Sequence, residues 1–129
     1  MITIRGLEAG YGARTVLRGV DLDVVPGELV AVCGPNGCGK TTLLRVLTGV
    51  VAATAGSVLI AGRPVAATPA AALARTVGVV AQNAAVPPGF TAFEITMMGR
   101  TPHLRLLQSE GRRDVEIVRR AMMRTDTWA

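Results

Sequence analysis

Gly34-Pro35-Asn36-Gly37-Cys38-Gly39-Lys40-Thr41-Thr42 decides how the rest of the chain is read. It fits the phosphate-loop pattern G-x-x-x-x-G-K-[ST], with Gly34, Gly39, Lys40 and Thr41 on the fixed positions. Glycines let the backbone curl so that successive N–H groups form a nest for anionic oxygens. The lysine brings a compact charge to the β and γ phosphates, and the threonine hydroxyl suits a magnesium ion. Lys40 is the only lysine among 14 basic residues. A chain that otherwise uses arginine keeps a flexible point charge where a guanidinium fork would be too bulky.

The flanks supply context. Leu29 to Cys33 is a continuous apolar run, as a strand buried on both faces requires, with Cys33 expected as a small core filler. From Thr41 to Thr48, Leu43, Leu44 and Leu47 share one helical face, and Gly49 is the expected stop. Strand, glycine loop and helix set free N–H groups and a positive dipole end against phosphate.

The 129 residues suit one α/β domain, and a hydrophobic content of 50% is enough for a core. The formal charge is +5, but the arginines are scattered and aromatics make up 3%, so no nucleic-acid partner is expected. No apolar stretch reaches the ~18 residues of a membrane span, and the N-terminus lacks the apolar segment of a signal peptide. Two cysteines five apart make neither a disulfide framework nor a metal site. These features predict a cytoplasmic protein.

Toward the N-terminus, Ile2, Ile4 and Leu7 predict an edge strand. Val20, Leu22 and Val24 predict a second strand, antiparallel and separate from the phosphate-loop strand. Tyr11 sits in a turn between them and reads equally as a stacking surface for a base or as a half-buried turn residue. Further on, Ser57 to Ala61 predicts a strand. Thr68-Pro69 predicts the start of an alanine-rich helix to about Arg75. Val77 to Ala81 predicts another buried strand with Gln82 at its C-terminal end, where α/β sheets bind ligands. Thr91 and Glu94 make a capping box for a helix to Met98. Ser109 is the expected cap of a last helix to about Arg124, with Val115, Val118, Ala121 and Met122 on one face. The single histidine, His103, has no ligand partners at metal spacing and reads as structural. Cys38 lies among the loop's N–H groups, where a thiol is either activated or a tolerated small residue.

Taken together, these residues resemble the ATP-binding subunits of ABC transporters, from Ile2 to about Thr125. The resemblance implies a P-loop NTPase fold, with antiparallel N-terminal strands beside part of a parallel core sheet. Residues 1–129 would be the N-terminal part of one nucleotide-binding domain. It makes Tyr11 the aromatic of the A-loop, stacking on adenine. Gly34, Asn36, Gly37, Cys38, Gly39, Lys40, Thr41 and Thr42 become the Walker A loop holding ATP, and Gln82 the Q-loop glutamine, which with Thr41 touches Mg.

The segment from Phe90 to Leu104 is similar to the branch importing iron-siderophores, haem and cobalamin. The resemblance implies a transmembrane permease subunit docking on Gln82 to Leu104, a second copy of the ATP-binding subunit as partner, and a place on the inner face of the cell membrane. The chain departs from the family in carrying no LSGGQ-type signature, Walker B strand or switch histidine. It is therefore expected to resemble a truncated half that binds nucleotide without efficient hydrolysis and folds loosely. The alternative is a truncated fragment that binds nucleotide or does nothing.

Overall fold

The structure is a computed structural model that describes residues 1–82 and 88–128. Its contacts fall into two compact units, Met1–Val77 and Gly78–Ala129.

The first unit is built on a four-stranded sheet in the order β2-β1-β3-β4. Strands β1 (Ile2–Tyr11) and β2 (Arg14–Val24) form the antiparallel hairpin that their alternation predicts, with Ile2 opposite Val24 and Tyr11 opposite Arg14. β1 is central, not the edge strand expected: β3 (Ala53–Ile60) runs antiparallel along its other side, with Ile2 opposite Ile60. That pairing joins residues nearly 60 apart, and a local pattern carries no trace of it. β4 (Arg63–Pro64) closes the far edge.

Ile4 and Leu7, three apart, would face opposite sides of a regular strand, yet both are fully buried. The register shifts between them, and Asp21 Oδ1 accepts the Gly6 N–H at 2.9 Å, so a bulge turns Leu7 to the core side.

Helix α1 (Lys40–Leu47) lays Thr42, Leu43 and Val46 into the core beside Ile4, Leu7, Leu17 and Val58. Leu44, expected on the buried face, is 54% exposed, because the helix presents the 42/43/46 stripe instead. The helix stops where expected. Gly49 donates to the Val46 carbonyl at 3.0 Å and Val50 to that of Arg45 at 2.9 Å, the paired bonds of a Schellman motif. A short 3₁₀ turn, Val65–Ala67, and helix α2 (Ala70–Ala74) add Val65 and Leu73 to the same core. The expected cap Thr68 makes no cap bond; its hydroxyl turns back to the Pro64 carbonyl at 2.7 Å.

The two buried strands of the parallel core are not formed. Leu29 is 97% exposed and Val80 99%, and Cys33 lies exposed instead of in a core. Neither Leu29 to Cys33 nor Val77 to Ala81 is paired with a strand among the described residues. An apolar run becomes a strand only when a neighbour takes its N–H and C=O groups, and the sheet at hand ends at β2 and β4.

The second unit holds helices α3 (Ala92–Met98) and α4 (Arg112–Arg124). The capping box is as predicted: Glu94 N–H donates to Thr91 Oγ1 at 3.2 Å, and Thr91 N–H to Glu94 Oε2 at 2.8 Å. Phe93 meets Trp128 edge-to-face at 6.0 Å. α4 starts three residues after Ser109, at Arg112, and is capped by Gly111, whose N–H donates to Asp114 Oδ2 at 3.0 Å. Val118 and Met122 are buried as expected, but Val115 is exposed and Asp114 takes its place. Arg100 Nε donates to Asp114 Oδ1 at 2.9 Å, tying the loop before the helix to its first turn.

The Gly111 N–H first, then the Arg100 guanidinium, hold the Asp114 carboxyl below the usual carboxylate range. Folding therefore favours the ionised form. The contribution is complete above the ordinary Asp value of about 3.9 and is lost as pH falls below it. Asp114→Ala is expected to melt below the unmodified chain at pH 7, with the gap closing between about pH 4 and pH 2. Thermal melts followed by circular dichroism across that range check this; a gap that does not change with pH contradicts it. No helix among the described residues is long and apolar enough to cross a membrane.

Candidate functional site

The phosphate-loop residues lie at the mouth of α1, which the core holds against the sheet. Gly39 is the residue before the helix, at φ 104°. A Cβ there would meet Leu17 Cδ2 at 2.8 Å and Val16 Cγ1 at 3.2 Å, so only glycine lets the loop close onto β2. Gly37 also has a left-handed φ, of 83°, which lets the loop curl before the helix. Cys38 N–H donates to the Pro35 carbonyl across that curl, at 3.4 Å.

The first turn of α1 carries no acidic residue and no side-chain cap. Its leading N–H groups have no intrahelical partner and sit at the positive end of the helix dipole. Lys40 turns back over the loop, donating from Nζ to the Gly34 carbonyl at 2.7 Å and the Pro35 carbonyl at 2.8 Å, with Cys38 Sγ at 3.9 Å. A cation parked on two neutral carbonyls keeps its charge uncompensated, as a phosphate receptor requires. Thr41, at the second helical position, is exposed. Helix-end N–H donors, the Lys40 cation and an open hydroxyl fit a magnesium-bound polyphosphate chemically.

Tyr11, from the end of β1, belongs to the same constellation. Arg45 Nη1 donates to its hydroxyl at 2.9 Å, and the guanidinium carbon lies 5.9 Å from the ring centre. The Thr42 hydroxyl first, then the Arg45 guanidinium, draw the phenol below its usual titration range. Tyr11 as a whole is 44% exposed.

The first unit therefore brings together Tyr11, Gly34, Asn36, Gly37, Cys38, Gly39, Lys40, Thr41 and Thr42. Gln82 belongs to the second unit and is exposed, without the strand expected to carry it. Residues 83–87 of the expected Gln82 to Leu104 docking segment lie outside the described residues. Arg45 was not legible in the sequence as a site residue; it stands one turn after the motif and only its contact with Tyr11 reveals it. Among the described residues no His, Cys, Asp and Glu cluster could hold a metal on its own.

Known proteins are similar to this chain. The hemin import ATP-binding protein HmuV of Gloeobacter violaceus is 44% identical over 122 residues, 95% of this chain and 44% of its own length. The ferric enterobactin transport ATP-binding protein FepC of Escherichia coli is 37% identical over 119 residues, 92% of this chain and 44% of its own. The chain thus spans less than half of each of these relatives.

In shape it resembles an inward-facing metal-chelate type ABC transporter with a TM-score of 0.75. That likeness covers 98% of this chain and 44% of the other, at 23% identity. It also resembles an ATP-binding cassette bound to ADP and Pi, with a TM-score of 0.74, covering 98% of this chain and 57% of the other, at 22% identity. At those identities the two structures speak to the fold, an ABC-type P-loop NTPase. Residues 17–128 match the ABC transporter family, and with the loop, helix and antiparallel sheet already in place, the chain belongs to that family.

Proposed function

We propose that residues 1–129 are the N-terminal part of the nucleotide-binding domain of an ABC importer's ATP-binding subunit. ATP is held at residues 34–42, with Lys40 on the β and γ phosphates and loop N–H groups on the oxygens between them. Thr41 would hold Mg, which when bound neutralises charge on the phosphates, and the family resemblance adds Gln82 as a second ligand. Tyr11 stacks on the adenine.

The observation that carries this reading is the Lys40 ammonium resting on two loop carbonyls at the mouth of a helix whose next turn anchors Tyr11. On hydrolysis, the 129 residues alone are expected to hold nucleotide without appreciable turnover, since they contain no signature or Walker B sequence. Coupled to a transmembrane permease docking on Gln82 to Leu104, and paired with a second copy of itself, the full-length subunit drives uptake from the cytoplasmic face. Names of the relatives, for hemin and ferric enterobactin transport, favour an iron-siderophore, haem or cobalamin type substrate.

The nucleotide reading is tested at Tyr11. Base–aromatic stacking is worth about 1–3 kcal/mol, so Tyr11→Ala in the full-length subunit should weaken ATP about 5- to 150-fold. Inorganic tripolyphosphate, which has no base, should bind as before. Calorimetric titration with each ligand reads both, and an equal loss for the two would end the stacking assignment. The transport reading is tested in proteoliposomes holding the full-length subunit and its permease. ATP-dependent entry of haemin, a ferric siderophore or cobalamin supports it, and entry of none of them contradicts it.

A further inference from the structure

We propose that Arg45 is a positioning residue for the base, holding the Tyr11 ring in the pose that receives adenine. This rests on the nucleotide reading and extends it to a side chain outside the phosphate-loop motif. The backbone of Tyr11 is set by strand pairing opposite Arg14. Its ring is a different matter, because nearly half of the residue is exposed and packing alone leaves the two side-chain torsions free. A polar anchor from α1 removes that freedom. Arg45 Nη1 donates to the phenol oxygen at 2.9 Å. The guanidinium carbon, 5.9 Å from the ring centre, adds an electrostatic hold on the ring itself.

Arginine in the last turn of a helix has an ordinary role, opposing the negative end of the dipole. Here the geometry departs from it. The Arg45 carbonyl is taken by the N–H groups of Val50 and Val51, at 2.9 and 3.1 Å, which fixes its backbone. The guanidinium points away to the tyrosine. One eight-residue helix thus carries the phosphate-loop groups Lys40 and Thr41 at its start and the base-orienting Arg45 further along. The distance between the phosphate and base subsites is set by helical rise, not by loop flexibility. A ring held ready loses less entropy when a base stacks on it.

The experiment uses the full-length subunit and two probes, ATP and inorganic tripolyphosphate, titrated against Arg45→Ala, Arg45→Lys, Tyr11→Ala and the Arg45→Ala/Tyr11→Ala pair. Arg45→Ala should weaken ATP about three- to tenfold and leave tripolyphosphate unchanged. Arg45→Lys, which keeps the cation without the fork, should recover part of the loss. Combined with Tyr11→Ala, Arg45→Ala should add nothing further.

Melting curves identify any variant that fails to fold, and Arg45→Lys then carries the test with a smaller ATP-only loss. Equal weakening of ATP and tripolyphosphate would mean that Arg45 acts on the phosphate field, and would overturn the inference. So would additivity with Tyr11→Ala. If Tyr11→Ala shifts the ATP-to-tripolyphosphate ratio and neither Arg45 variant does, the inference falls alone. If Tyr11→Ala does not shift it, the stacking reading falls as well.

Discussion

Lys40→Ala in the full-length subunit is expected to remove saturable binding of ATP with magnesium at micromolar nucleotide. The Lys40 ammonium reaches over the loop, donating to the carbonyls of Gly34 and Pro35. Those carbonyls are neutral, so exchanging them for phosphate oxygens strengthens each bond. A hydrogen bond to a charged group contributes about 1.5–3 kcal/mol, so losing two costs roughly 10²–10⁴ in affinity. The loop N–H groups and the helix dipole remain in the variant and keep a weak preference for anions. Lys40 lies outside the hydrophobic core cluster formed among the described residues, so the melting temperature should hold while binding fails. Calorimetric titration decides it. A dissociation constant within threefold of the unmodified subunit would remove the phosphate reading at its root.

Gly56→Ala should produce a large loss of stability, about 3–5 kcal/mol, with no chemistry at the site changed. Gly56 lies in β3 at φ 77°, beside the register shift where β1 bulges. A Cβ there would fall 2.3 Å from the Gly6 carbonyl oxygen and 2.4 Å from that of Arg5. Both are backbone atoms of the central strand, and no rotamer change relieves the clash. β1 and β3 must separate, and with them goes the platform on which Leu43 and Val46 of α1 rest. Gly62, in the turn before β4, has a similar φ of 76° but open space where a Cβ would lie. Gly62→Ala should therefore cost only the left-handed strain, about 1–2 kcal/mol. Urea unfolding of both variants gives the comparison. Equal losses would mean that the strand contact is slack.

Helix α1 was legible from its ends: a glycine loop at one, Gly49 at the other, and apolar residues at helical spacing between. The capping box of α3 was legible for the same reason, since each cap is made by residues three apart. Leu29 to Cys33 and Val77 to Ala81 were misread as formed strands, because an apolar run shows a tendency and not a partner. The start of α4 was misplaced at Ser109 because Asp114, reaching back to Gly111 and across to Arg100, does the work expected of a serine cap.

By itself the order of residues determined the phosphate loop, the helix that follows it and the antiparallel hairpin before it. Each is encoded within a few residues by glycine conformation, capping or alternation. Only the tertiary structure decided that β1 is central, that a bulge carries Leu7 inward, and that Tyr11 meets Arg45. Those depend on contacts between residues 15 to 58 positions apart, where the winning partner is set by packing and hydrogen-bond satisfaction across the whole sheet and not by any local signal.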